Sequence, residues 1–326
     1  MPLLLTEADV ASLLELPALV DLMERTLADF SAGRVRQPVR SILPAPEHES
    51  WIGFMPAVLP GNDGAGLKIV SLVPRNAARG LPTHQACIVV IDPETGMLEA
   101  LLDGRLVTER RTAAVSAAAA RRLAVPGAGT LAILGSGVQA LSHLELFAAV
   151  LPLREARVWS PDAARRDAFA RAHDGRLGFP VHASADAEAA VRGADLVVTV
   201  TAARTPVLRG AWLAEGAHVS AVGACLPDWR ELDGDAVRRA RVFVDSRDAA
   251  RAEAGDLIGA ERDGGWSFAD VAGELGELFA GTVSGRADAR QVTLFKSLGL
   301  ACEDLSTARW LVTRARARGV GREFSL

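Results

Sequence analysis

Residues 129–140 read GTLAILGSGVQA, and they restrict the fold more than any other stretch. Thr130 to Leu134 is a short apolar run of the kind a buried parallel strand shows. Gly135-Ser136-Gly137 breaks it, and VQALSHLELFAAVL from Val138 onward resumes with helical spacing. Strand, glycine turn and helix start in that order make a site for a dinucleotide pyrophosphate. The glycines let the backbone approach the phosphates, and the unpaired N–H groups of the first helical turn face them. The Gly-x-Gly-x-x-Ala pattern ends on Ala140, an accepted residue at its last position. A plain strand–turn–helix would look similar, but the flanking apolar strand and helix favour cofactor binding.

The rest of the middle of the chain agrees. Strand runs recur at LAIL, ARVW, FPVHA, DLVVTV, HVSAV and RVFVD, with helical segments such as DAARRDAFARAH and ADAEAAVRGA between most of them. This alternation predicts a doubly wound parallel sheet. The first third reads differently. A capping box at Thr6-Glu7-Ala8-Asp9 leads towards a helix over 17–30 with Leu19, Leu22, Met23, Leu27 and Phe30 on one face and Gly33 placed to end it. VRSIL, WIGFM, GLKIVSLV, ACIVVID and MLEALLD follow as short strands, the last two joined by the turn Asp92-Pro93-Glu94-Thr95-Gly96, so this part is α+β with mostly antiparallel strands. Residues 106–125 form an Ala-rich helix running into Pro126-Gly127. Residues 255–285 show apolar pairs in a Gly-rich matrix and no clear element, and 294–318 reads as one long closing helix with a break near Gly299.

Composition narrows the function. The net charge of −4 and the lack of a basic block argue against a nucleic-acid partner. No apolar run approaches the roughly 20 residues that span a membrane. The opening MPLLLTEADV lacks a basic segment and carries acids, so no signal peptide is expected. Cys87, Cys225 and Cys302 are unclustered, which fits a reducing compartment and neither a disulfide framework nor a metal site. The expectation is a cytoplasmic protein without a metal.

Nearly all the basic residues are Arg; Lys occurs only at Lys68 and Lys296. A retained Lys can mark a place where a compact, titratable ammonium is wanted rather than a planar fork, chance survival being the alternative. Lys68 lies inside the near-continuous apolar run GLKIVSLV, where a charge needs a reason. Arg40 and Arg111 lie on or beside apolar segments too, although each alone is an ordinary surface charge. Three such cations facing one pocket would bind a small anion, most simply a carboxylate. With a dinucleotide site, that gives hydride transfer on an amino- or keto-acid-like substrate. The second strand of the parallel sheet ends at Trp159-Ser160-Pro161-Asp162. An acid for the ribose 2′-OH is missing at Trp159 and Ser160, the Ser160 hydroxyl suits a 2′-phosphate, and Arg165 and Arg166 follow one turn on. NADPH is therefore expected over NADH, with Asp162 keeping NADH open.

QPVR (37–40), GFMPA (53–57), GLKIVS (66–71), GLPTHQA (80–86), DPETG, LLDG (101–104), ERRTAAVSA (109–117), ILGSGVQA (133–140), AVGACLPDWRELD (221–233), VDS (244–246) and FKSLGLACED (295–304) occur in this order. Together they resemble the ornithine cyclodeaminase/mu-crystallin family over most of the chain. The resemblance implies an α+β substrate-binding and dimerisation domain from both chain ends (1–117 with 300–326), a dinucleotide-binding Rossmann domain (118–299), and a homodimer. It implies that Arg40, Lys68 and Arg111 bind the substrate carboxylate with Thr83 beside them. Thr112, Ser136, Gly137, Val138 and Gln139 match cofactor positions. Thr201, Val222 and Ser297 are further candidates, beside Gly135 and Ser160 from the residue pattern.

One departure sets the subtype. The cyclodeaminase pattern G-x-D-x-P-G-K implies an acid/base Asp, whereas this chain has Gly223-Ala224-Cys225-Leu226-Pro227-Asp228-Trp229. Cys225 takes the Asp position, and a thiol with a pKa of about 8.5 replaces a carboxylate base poorly. The PDWREL version is similar to the mu-crystallin branch and to bacterial reductases of cyclic ketimines. The implied activity is reduction of Δ1-pyrroline-2-carboxylate and Δ1-piperideine-2-carboxylate to L-proline and L-pipecolate, within proline metabolism. Lys68 and Arg111 are the catalytic candidates, and the proton comes from Lys68, His84 or water. The rivals are an ornithine cyclodeaminase, an alanine-type dehydrogenase and a non-catalytic cofactor- or ligand-binding protein.

Overall fold

The computed structural model describes residues 1–61 and 63–325. The chain divides into two compact units, Met1–Arg111 with Gly299–Leu326, and Thr112–Leu298. The first division falls inside the Ala-rich helix, which is continuous from Arg105 to Leu123.

The first unit is built on a seven-stranded sheet. Its strands are β1 (Leu3–Leu5), β2 (Ser41–Ala45), β3 (Ser50–Val58), β4 (Ala65–Leu72), β5 (His84–Ile91) and β6 (Leu98–Asp103), with the C-terminal strand Arg322–Glu323. Across the sheet the order is Arg322–Glu323, β1, β6, β5, β4, β3, β2. Only β1 and β6 run parallel; the other pairs are antiparallel. The β5–β6 turn forms as its residues dictate. Asp92 Oδ1 accepts from the N–H groups of Glu94 and Thr95, and Gly96 takes φ +72°. Thr6 and Asp9 close the expected capping box on the helix Glu7–Leu13, and a second helix, Leu16–Ser31, buries Leu19, Val20, Met23 and Leu27. The closing helix Ala301–Arg318 packs on β3, β4, β5 and those two helices. Its approach is close enough that a Cβ at Gly66 would lie 2.7 Å from Leu305 Cδ1 and 2.3 Å from Val89 O.

The second unit is an eight-stranded, all-parallel sheet. It contains β7 (Thr130–Leu134), β8 (Glu155–Trp159), β9 (Val181–Ala183), β10 (Leu196–Thr199), β11 (His218–Ala221), β12 (Ala240–Val244), β13 (Gly273–Glu274) and β14 (Val292–Lys296), in the order β13-β12-β14-β11-β10-β7-β8-β9. The chain runs from β7 outward to β8 and β9, then returns to place β10 on the other side of β7. That reversal makes the carboxyl ends of β7 and β10 the switch point where ligands of open α/β sheets bind. The α/β class with a doubly wound parallel sheet is thus present.

The chain end differs from its sequence reading. Residues 292–296 are a fully buried central strand between β12 and β11, not the start of the closing helix. A five-residue apolar run has no period that separates strand from helix, so only the sheet around it decides. Gly299, at φ +83°, and Leu300 then intervene before the helix opens at Ala301. The unassigned stretch 255–285 holds the helix Gly255–Asp263, strand β13 and the helix Leu275–Phe279.

Candidate active site

Lys68 is the one buried residue of β4. Its ammonium stands 2.6 Å from Asp304 Oδ2 and donates weakly to Thr108 Oγ1 at 3.4 Å, while that hydroxyl donates to Gly104 O. Arg111 lies alongside. Its Nε donates to Asp304 Oδ1 at 2.8 Å and its Nη1 to Glu303 Oε2 at 2.7 Å. All four charged side chains are almost wholly buried, at 3% exposure or less. One carboxylate therefore serves both cations, and the two acids come from the first turn of the closing helix, where the helix dipole favours negative charge. Two of the three cations expected to face a substrate thus already meet acids of the protein, Asp304 and Glu303, for which the sequence alone offers no role.

The electrostatics follow from this crowding. Burial, opposed by Asp304 and reinforced by Arg111 and Arg40, brings the Lys68 ammonium down from its usual value to about 8. Burial would raise the Asp304 carboxyl, but Arg111 and Lys68 outweigh it and hold the group below the usual carboxylate range. His84, at the start of β5, falls to about 4 through burial and the nearby charges of Lys68 and Arg111. At neutral pH His84 is therefore a neutral imidazole, and Lys68 keeps its proton. Arg40 directly precedes β2, and its charge is felt at Lys68; Thr83 is half-buried just before β5, its carbonyl accepting from Val73 N–H at 2.7 Å. Gly299 supports the cluster sterically. A Cβ there would sit 2.3 Å from Arg111 Nη1, and its φ of +83° already favours glycine.

In the second unit, the sequence-derived cofactor positions gather at one edge. Ser136, Ser160, Thr201, Val222 and Ser297 each lie one or two residues past the carboxyl end of β7, β8, β10, β11 and β14, five adjacent strands of the sheet. Gly135 takes φ +129°, where a Cβ would meet Val200 O at 2.7 Å. Gly137 is the N-cap of the helix Val138–Val150 without a side-chain cap, and the space where its Cβ would stand is open. Gly137 and Val138 are exposed, and the N–H groups of the first turn have no side-chain cap. This donor set fits a dinucleotide pyrophosphate. Ser136 and Ser160 join through their hydroxyls at 2.9 Å. Asp162, which could have taken a ribose hydroxyl, instead caps the helix Ala163–His173 by accepting from Arg165 N–H. Arg166 pairs with Asp167. Gln139 is half-buried, and its carbonyl takes a hydrogen bond from the buried His143; Thr112 is buried in the helix Arg105–Leu123.

The stretch that sets the subtype is also informative. Cys225 packs against the apolar core, and Asp228 is exposed and paired with Arg204, so Asp228 does not stand in for the missing Asp. The same segment carries Glu231, which the sequence reading passed over; it is fully buried and holds the loops after β10 and β11. The LPDWREL pattern gave only a weak signal for it, an acid flanked by Arg and Leu. Among the described residues no cluster of His, Cys, Asp and Glu could hold a metal, and no helix is long and apolar enough to cross a membrane.

Residues 1–319 match the sequence profile described as the ornithine cyclodeaminase/mu-crystallin family. The chain is 41% identical to ketimine reductase mu-crystallin of Mus musculus over 294 residues, covering 89% of this chain and 90% of that protein. Among solved structures, it matches Thermococcus litoralis Δ1-pyrroline-2-carboxylate reductase in complex with NADH and L-proline, at 34% identity and a TM-score of 0.96, covering 99% of this chain and 100% of the other. An archaeal alanine dehydrogenase dimer with bound NAD matches at 31% identity and a TM-score of 0.93, covering 100% and 99%. The chain belongs to the ornithine cyclodeaminase/mu-crystallin family.

Proposed function

We propose that this protein is an NAD(P)H-dependent reductase of small cyclic ketimine acids, converting Δ1-pyrroline-2-carboxylate and Δ1-piperideine-2-carboxylate to L-proline and L-pipecolate. The observation that carries the reading is Lys68: a buried ammonium near pKa 8, fixed by Asp304, beside a His84 too weakly basic to hold a proton at neutral pH. Reduction of a C=N bond consumes one proton for each hydride and needs no strong base, so Cys225 in place of an Asp is tolerable. The similarity to a reductase solved with NADH and L-proline supports the same substrate class.

Bound NAD(P)H supplies the hydride that saturates the imine carbon. Arg40 and Arg111 hold the substrate carboxylate, with Thr83 beside them. Lys68 donates the proton taken up by the ring nitrogen as the C=N electron pair moves onto it, leaving a neutral amine next to Asp304. A general acid so placed contributes about 10²–10⁴-fold. Gly135 to Gln139 and Ser160 bind the dinucleotide, with Thr112, Thr201, Val222 and Ser297 completing its contacts. NADPH is preferred and NADH accepted: Ser160 and Arg165 suit a 2′-phosphate, and Asp162 is committed to its cap. The protein works in the cytoplasm as a homodimer; Ile42 and Leu43 of β2 are exposed apolar residues available to a second copy.

The test is an oxidation assay with NADPH and NADH against both cyclic imines, with light scattering for the dimer. Turnover of the imines with preference for NADPH is expected. Turnover only with ornithine would establish a cyclodeaminase, only with alanine an amino-acid dehydrogenase, and cofactor binding without any turnover a binding protein.

A further inference from the structure

At the carboxyl edge of the parallel sheet, one buried carboxylate gathers two neighbouring loops. Glu231 Oε1 accepts from Thr201 N–H at 2.6 Å and from Thr201 Oγ1 at 2.7 Å. Its Oε2 accepts from Gly223 N–H at 2.7 Å and from Thr199 Oγ1 at 2.8 Å. The loops touch so closely that a Cβ at Gly223 would lie 2.1 Å from Thr201 O. The carboxylate is itself anchored from below. Asp256 Oδ1 accepts from the N–H groups of Glu231 and Leu232 at 2.7 and 2.9 Å, and Lys296 Nζ stands 3.1 Å from Asp256 Oδ2 and donates to Ala221 O. Glu231, Asp256 and Lys296 have no exposed surface.

We propose that Glu231 is a positioning residue for the cofactor: it straps the loop after β10 to the loop after β11, so that Thr201 and Val222 stand in place to meet the dinucleotide. The inference rests on the reading of those two residues as cofactor contacts. The two backbone N–H groups can only donate, one to each oxygen, so both oxygens must accept and no amide can replace the carboxyl group without turning a donor onto a donor. Asp256 and Lys296 tie the strap to β11 and β14 through the protein's own bonds. Burial and Asp256 push the Glu231 carboxyl up, while Lys296 and the Thr201 hydrogen bonds pull it down.

The experiment is titration of the whole protein with NADPH, followed by nucleotide fluorescence without imine, together with the KM for Δ1-pyrroline-2-carboxylate. Glu231→Gln is expected to raise the Kd for NADPH about tenfold, the effect of one buried donor left unpaired. The KM for the imine is expected to stay at its wild-type value. A merely structural glutamate would lower the folded fraction and leave both constants unchanged, and that result overturns the proposal. Thr199→Val keeps the shape of β10 while removing one donor, and is expected to weaken NADPH binding about threefold. If Glu231→Gln does not fold, an unchanged Kd in Thr199→Val overturns the proposal. A wild type that binds no NADPH would instead overturn the proposed function.

Discussion

Both lysines of this chain end in buried ion pairs with an aspartate, one in each compact unit, and their surroundings are opposite. Lys68 and Asp304 share their site with Arg111 and Glu303, and Arg40 adds a further positive charge. Burial, reinforced by Arg111 and Arg40 and opposed by Asp304, lowers the ammonium there to about 8. Lys296 and Asp256 instead adjoin Glu231, whose carboxyl is raised by burial first and by Asp256 second. In the proposed reaction the first pair carries the proton that leaves. The second is a fixed post beneath a loop. On the proposed function, the same bond between the same residue types serves chemistry in one place and scaffolding in the other.

The contrast breaks most directly with the two lysines themselves. Lys68→Met is expected to reduce imine turnover about 10²–10⁴-fold, the loss of a general acid, while Arg111 still accompanies Asp304. Lys296→Met is expected to cost about 3–5 kcal/mol of stability in urea unfolding, because Asp256 stays buried without its cation. Its folded fraction should bind NADPH more weakly, yet turn over nearly as fast as wild type once NADPH is saturating. Should the two variants exchange these phenotypes, the division into chemistry and scaffold is wrong. A middle-sized effect is expected at Gly299→Ala, whose methyl would collide with Arg111 Nη1. Steady-state kinetics should show kcat/KM down about 10- to 100-fold as the guanidinium is displaced. The smallest effect belongs to Cys225→Ala: the thiol packs at the edge of the apolar core, so turnover should remain near wild type. A loss comparable to Lys68→Met would return position 225 to the reaction.

Much of this arrangement was legible in the sequence, and what was not has physical causes. The glycine loop could be read because strand, turn and helix lie within a dozen residues, where local rules suffice. Lys68 stood out because an ammonium inside GLKIVSLV contradicts its surroundings. Its partner did not stand out. Asp304 is far from Lys68 and Arg111 in sequence, and an acid in the first turn of a helix has an ordinary explanation in the helix dipole. Glu231 was hidden for the same reason: its partners Thr201, Gly223 and Asp256 become neighbours only once β10, β11 and the helix Gly255–Asp263 are in place. The strand Val292–Lys296 was misread because burial on both faces removes the alternation that marks a strand.

The central claim is that Lys68, set by Asp304, delivers the proton. It is tested most directly by the pH dependence of kcat/KM for Δ1-pyrroline-2-carboxylate with NADPH, in wild type and in Asp304→Asn. An acid must be protonated to act, so activity is expected to fall as pH rises through about 8. Asp304 raises the Lys68 pKa, so its neutralisation should move that fall to lower pH, whereas titration of the imine itself would not move. A falling limb at the same pH in both proteins, or none at all, would contradict the account.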